Sequence, residues 1–205
     1  MLLKPIKTSL PFLLGFCFLA TEAIGQQVKI DVDKPNFEDL ESPEFGGNTN
    51  EKRWEPKDWL EVEVKLKVEA RPEPKDGFVD NVSIRWYVAV ENPEQKGSYY
   101  RLQKDVRYVN VPLKEDMYAS VYISPATIRR LTGGERAGKS AVWGVAGEVS
   151  HNGSVVATFS SKTTKEWWKS GSLSSTDKFP LLSKNETPFK ALWYDRFLQE
   201  EEGRR

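Results

Sequence analysis

Strict alternation of apolar and polar positions is the dominant pattern along this chain. Over residues 60–70, Leu60, Val62, Val64, Leu66, Val68 and Ala70 share one face of an extended strand, and Glu61, Glu63, Lys65, Lys67 and Glu69 share the other. A period of two sustained over that length predicts a strand with one buried and one wet face. Residues 28–33 alternate in the same way. After a Pro- and Gly-containing connection at 71–77, the next strand places Val82, Ile84, Trp86, Val88 and Val90 on its inner face. Residues 99–111 make a more polar strand, predicted to lie near a sheet edge. Met117, Ala119, Val121 and Ile123 then alternate again.

The strongest turn signal is Asn152-Gly153, flanked by the valine-rich runs AVWGVAGEVS and SVVATFSS. Asn-Gly predicts a hairpin closed by a type I′ turn, because both central residues need positive φ. With a two-residue turn, Val149 faces Val156 and Ala146 faces Phe159, so both faces carry apolar groups. That predicts a sheet covered on both sides, or a bulge in the hairpin. Just upstream the period becomes helical: Ser124 as N-cap, Pro125 at the first helical position, Ile128 and Leu131 inward, Gly133-Gly134 as stop. Residues 34–58, with three prolines, two adjacent glycines and many charges, read as a surface connection.

These elements predict a mainly β fold: an immunoglobulin-like antiparallel β-sandwich of about seven strands over residues 26–162, with a short inter-strand helix and a C-terminal extension over 163–205. In the extension, residues 162–184 are serine-rich and irregular around Trp167-Trp168. Thr187-Pro188 then opens either a final helix with Phe189, Leu192, Trp193, Arg196 and Phe197 along one face, or an extended segment laid across the sandwich.

The first 25 residues change the address of the protein. Lys4 and Lys7 precede an apolar run over 10–20, and Ala23 and Gly25 supply small residues before a cut at Gln26. This is the layout of a secretory signal peptide, and the run is too short to span ~30 Å of hydrocarbon. The expectation is an exported protein, periplasmic, outer-membrane associated or extracellular, touching the membrane only through an uncleaved signal. Cleavage removes Cys17, the only cysteine. The mature chain would have neither a disulfide nor a thiol nucleophile, and no cysteine metal site.

Charge and motifs narrow the function. The full chain carries 30 basic and 30 acidic residues. With no basic excess to follow a phosphate backbone, a nucleic-acid partner is not expected. Residues 133–140 match G-x-x-x-x-G-K-S/T, but a phosphate-binding loop needs a strand before it and a helix after it. Here a helix precedes and a strand follows, so the motif reads as a helix stop and turn, with no nucleotide partner. Asp31, Asp33, Asn36, Glu38 and Asp39 lack the calcium-loop spacing and read as a solvated acidic loop. The lone His151 sits beside a hairpin tip, and no pair of carboxylates stands out, so no catalytic residue and no cofactor is expected. What remains are aromatics: Trp167, Trp168, Trp193, Tyr194, Tyr99 and Tyr100 are the candidate contacts with a partner or a glycan. Two readings follow, a protein-binding domain of the envelope and a carbohydrate-binding module using exposed tryptophans.

The signal peptide, the cysteine-free sandwich and the closing Pro188-Phe189-Lys190-Ala191-Leu192-Trp193-Tyr194-Asp195-Arg196-Phe197 together resemble a bacterial family of exported immunoglobulin-like proteins encoded beside type IV pilus-like genes. The resemblance implies a non-enzymatic envelope or pilus-associated role and brings no catalytic residues. The chain lacks a prepilin leader and a long apolar helix, so the resemblance implies an accessory to such an apparatus, not a pilin subunit.

Overall fold

A computed structural model describes residues 26–44, 55–134 and 138–202. The signal-peptide reading and the middle of the glycine-rich motif lie outside the described residues.

The alternating run forms β3 (Asp58–Arg71), and burial follows its sequence period without a break from Leu60 to Ala70. Leu60, Val62, Val64, Leu66 and Val68 are each at most 2% exposed. Burying a side chain of this size contributes roughly 1.5–3 kcal/mol relative to exposure, so this row alone favours one register strongly. β1 (Gln27–Val32) and β2 (Asn36–Glu41) lie end to end, antiparallel, along one edge of β3. Beyond its other edge lie β8 (Asp116–Ile123) and then the short β12 (Leu182–Ser183).

The second sheet runs β10 (Ser154–Ser160), β9 (Val142–His151), β5 (Val82–Glu91), β6 (Tyr99–Val109). Two short strands attach to the outer edge of β6: β11 (Leu173–Ser175), parallel at its start, and β13 (Gln199–Glu200), antiparallel at its end. A separate ribbon pairs β4 (Phe78–Val79) with β7 (Val111–Pro112). The inner faces of the two main sheets share one core, in which Trp86 is fully buried and meets Phe159 edge-on at 5.1 Å. Gly147 lies opposite Phe159, and a Cβ there would stand 2.2 Å from the ring. Glycine is what lets that ring enter the core. The fold is an antiparallel β-sandwich.

Helix α1 (Pro125–Thr132) has the predicted caps. Ser124 Oγ accepts from Thr127 N at 3.3 Å, Ile128 and Leu131 are buried, and Gly133 closes the helix at φ 74°. The Asn152-Gly153 turn has the positive φ values of a type I′ hairpin, 49° and 80°. Both hairpin alternatives are realised: the outer face of the sheet is covered, and the hairpin carries a bulge. The register shifts between Val155 and Ala157, so Val149 faces Ala157 and Gly147, not Ala146, faces Phe159.

Two expectations need correction. The connection over residues 34–58 contains β2, whose Phe37 and Leu40 are half-buried although the strand is acidic. Pairing with β3 supplies the backbone bonds that Asn, Glu and Asp do not favour by propensity. The outer face of β3 is also not uniformly wet. Glu61 and Glu63 are largely covered, and burial raises the pKa of both carboxyls.

Candidate functional site: two straps and an exposed aromatic tip

Beyond Ser161 the chain crosses both outer faces of the sandwich. The first crossing, residues 162–175, covers the second sheet. Trp167 and Trp168 form a short 3-10 turn (Trp167–Lys169) and are 5% and 4% exposed. They pack on Tyr87, Ala89 and Ala146, with Trp143 and Leu173 at the margin. Their indole N–H groups donate to Ser160 Oγ (2.9 Å) and Glu148 Oε1 (3.2 Å). Glu148 also accepts from Tyr87 OH at 3.2 Å and pairs with Lys169 at 3.2 Å. Burial acts to raise the Glu148 pKa, but the donors from Trp168, Lys169 and Tyr87 outweigh it and hold the carboxyl below its ordinary value. With rings and N–H groups both committed, Trp167 and Trp168 are packing residues, and the glycan reading loses the side chains on which it was built.

The second crossing, residues 184–198, covers the first sheet. Thr187 caps a 3-10 turn (Pro188–Ala191) through a bond from Phe189 N at 3.2 Å. Helical structure ends there, and residues 192–196 form a bend and a turn, neither the helix nor the extended alternative. Only the end of the segment runs beside the sheet, where Phe197 bridges to Tyr118 and Leu198 N donates to Tyr118 O at 2.8 Å. Phe189 is fully buried, stacked on Tyr122 at 5.1 Å and met edge-on by Trp59 at 5.7 Å. Arg196 lies 3.9 Å from the Tyr118 ring centroid and donates to Glu63 Oε1 at 2.7 Å.

At the crest of this strap stand Trp193, 49% exposed, and Tyr194, 68% exposed. Trp193 stacks on Phe189 at 6.5 Å and 13°, making the outermost of three layered rings with Tyr122 innermost. Its backbone is left-handed, φ 50°. That conformation is unfavourable for a bulky residue and must be held by its surroundings. The holder is Lys184. Its side chain is buried, and its ammonium donates to Leu192 O (2.7 Å) and Lys190 O (3.2 Å) while lying 5.0 Å from the Phe197 ring centroid. Lys184 is itself fixed by Glu200, whose carboxylate accepts from Lys184 N, Asn185 N and Ser183 Oγ. Such a tip offers stacking, apolar contact and hydrogen bonding.

The other aromatics singled out by sequence do not join it. Tyr99 packs on Trp143 at 5.2 Å and Tyr100 on Phe179 at 5.6 Å, both half-buried. His151 is buried at the end of β9, beside Asn152. Lys139, in the glycine-rich motif, serves the acidic strand β2: its N–H donates to Asp39 Oδ1 at 3.1 Å and its ammonium lies 3.7 Å from Glu38. A short helix, α2 (Gly138–Ala141), carries it directly into β9. Sequence reasoning missed Lys184 and Phe189. Phe189 was visible only as part of a helical stripe, and nothing in the local pattern marks Lys184 as buried.

A protein-family model matches residues 21–204, the described sandwich together with both straps. The chain belongs to that family. A crystal structure of a protein from Akkermansia muciniphila is similar over 88% of this chain and 96% of its own, with 38% identity and a TM-score of 0.82. No curated protein matches the chain. Among the described residues no helix is long and apolar enough to cross a membrane, and no group of His, Cys, Asp and Glu is placed to hold a metal ion.

Proposed function

We propose that this chain is an exported, non-catalytic protein of the cell envelope that binds another protein as an accessory to a type IV pilus-like apparatus, with Trp193 and Tyr194 at the contact. The observation that carries the reading is the exposed aromatic pair, with Trp193 left-handed, seated on stacked rings and preceded by carbonyls that Lys184 ties down. Aromatic anchors with few rotatable bonds, already ordered before binding, are what protein interfaces use as hot spots. The sheet order, β1/β2-β3-β8 facing β10-β9-β5-β6, supports the immunoglobulin-like assignment of the sandwich. The family membership and the similarity of the closing segment to exported proteins encoded beside pilus-like genes support the envelope setting.

The test places a photoreactive amino acid at Tyr194 in the native envelope and identifies adducts by mass spectrometry. Adducts to pilus-like or secretion proteins that vanish in Trp193→Gly are expected. Adducts confined to polysaccharide, or protein adducts indifferent to Trp193→Gly, would refute the reading.

A further inference from the structure

The polar pattern of residues 99–111 predicts a position near an edge, and β6 is the last long strand of its sheet. The chain has already added strands to that edge twice. β11 pairs with Tyr99, Tyr100 and Arg101, and β13 pairs with Tyr108 and Val109. Between them the edge is left open. Glu201 N donates to Arg107 O at 2.8 Å, which fixes the direction of the Arg107 backbone groups toward the strap. By the two-residue period of an antiparallel strand, Gln103 and Asp105 present their N–H and C=O groups on the same side. Among the described residues, no strand pairs with β6 on this side between Arg101 and Tyr108. The open length is about five residues, or roughly 16 Å of extended chain.

A cleft of about 360 Å³ lies along this gap, between β6 and the turn and tail of the second strap. Lys104, on the core side of β6, reaches the carboxylate of Glu186 and closes the floor. A lysine pointing inward from an edge strand discourages whole sheets from joining edge to edge. The two flanking strands also bar a second copy of β6 from lying alongside, whereas a single extended segment fits between them. The lining is acidic in sum: Asp105, Glu186, Glu200, Glu201 and Glu202 outnumber the three cations Lys104, Arg107 and Lys190.

We infer that the open stretch of β6 is a strand-addition slot that receives an extended segment of a protein partner, with Lys or Arg at alternate positions to meet the acidic lining. Main-chain bonds to Gln103 and Asp105 would supply the attachment, and the carboxylates the selectivity. The inference rests on the reading above only in taking the partner to be a protein. The slot is separate from the Trp193 tip.

The test uses the mature protein with the pentapeptide Lys-Val-Lys-Val-Lys and follows amide hydrogen exchange by NMR. Exchange at Gln103 and Asp105 should slow about tenfold once free peptide stands near ten times its dissociation constant, because bound protein cannot expose those amides. Glu-Val-Glu-Val-Glu and the interrupted Lys-Val-Pro-Val-Lys should leave both amides unchanged. The exposed pair of substitutions Glu201→Lys and Glu202→Lys should transfer the protection from the basic peptide to the acidic one. Unchanged exchange at millimolar basic peptide, or equal protection by the acidic or interrupted peptide, would overturn the slot. Trp193→Gly should leave this protection intact while abolishing the envelope adducts at Tyr194, so failure of the slot and failure of the tip are read separately.

Discussion

The chain carries two adjacent pairs of large aromatics in its last quarter, and they meet opposite fates. Trp167 and Trp168 are buried on the second sheet, whereas Trp193 and Tyr194 stand out from the first. Composition does not explain this. What lies beneath does. On the second sheet, Ala89 pairs with Gly144 and Tyr87 with Ala146, so the outer face is a pit floored by small side chains. A Cβ at Gly144 would stand 3.2 Å from the Trp167 ring, close enough to force a shift. On the first sheet the corresponding place is filled by Phe189 on Tyr122, and Trp193 can only add a further layer. A tryptophan is buried where the facing strands leave room, and displayed where that room is already taken.

The sharpest way to break the comparison is to truncate one member of each pair. Trp168→Ala should cost roughly 3–5 kcal/mol, since it empties a buried site and takes away one of the three donors to Glu148. Urea denaturation would show the midpoint falling with the m-value unchanged. A loss below about 1 kcal/mol would mean that the first strap is not part of the cooperative fold.

This contrast also marks how far the sequence could be read. Strand β3, the inner face of β5, the caps of α1 and the Asn152-Gly153 turn were legible because each is a local pattern with a local cause. The apolar groups on both faces of the hairpin already pointed to a sheet covered on both sides, and Gly144 and Ala146 are the small residues of that covering. Strand β2 was not legible, because its acidic residues pair only through contact with β3. Lys184 was not legible either: its burial depends on Leu192, Phe197 and Glu200 folding back over it. Sites assembled by a strap leave no periodic trace.

Removing the clamp should come next in size. Lys184→Met keeps the length of the side chain but leaves the carbonyls of Lys190 and Leu192 without their charged donor. A loss of about 1.5–3 kcal/mol is expected, with faster amide exchange over residues 189–196 and none over 162–175. Equal loosening of both straps would mean that they are one unit.

Acid should separate the straps more gently. Glu148 is held below its ordinary pKa of 4.5, so what it contributes is present above that value and lost as pH falls through the lower folded one. Glu61 and Glu63 are raised by burial, so their contribution is complete below 4.5 and lost as pH rises through the higher folded values. Lowering the pH past 4.5 should therefore loosen the Trp168 contact of the first strap but not the Glu61 and Glu63 floor beneath the second. In the second strap Glu186 weakens in the same direction as Glu148: burial acts to raise its carboxyl, but Lys104 and Ser183 hold it below 4.5. Exchange of the Trp168 indole N–H would report the loosening of the first strap, and Glu148→Gln should remove most of its pH dependence at a cost of about 1 kcal/mol.

The smallest effect is the most informative about the tip. Trp193→Gly deletes a half-exposed ring but relieves a left-handed backbone, and the two should leave stability within about 1 kcal/mol of the parent. Trp193→Ala deletes the same ring and keeps the strain, so it should fall below the glycine variant by roughly 1–2 kcal/mol. The difference between the two, measured by thermal or urea unfolding, isolates the backbone term because the lost contacts are shared. If alanine proved as stable as glycine, the left-handed turn would not be held in solution, and Trp193 would lose its standing as a preorganised anchor. If the glycine variant is the more stable and yet fails to bind, the strain at Trp193 is maintained for the contact, since nothing in the stability of the sandwich requires it.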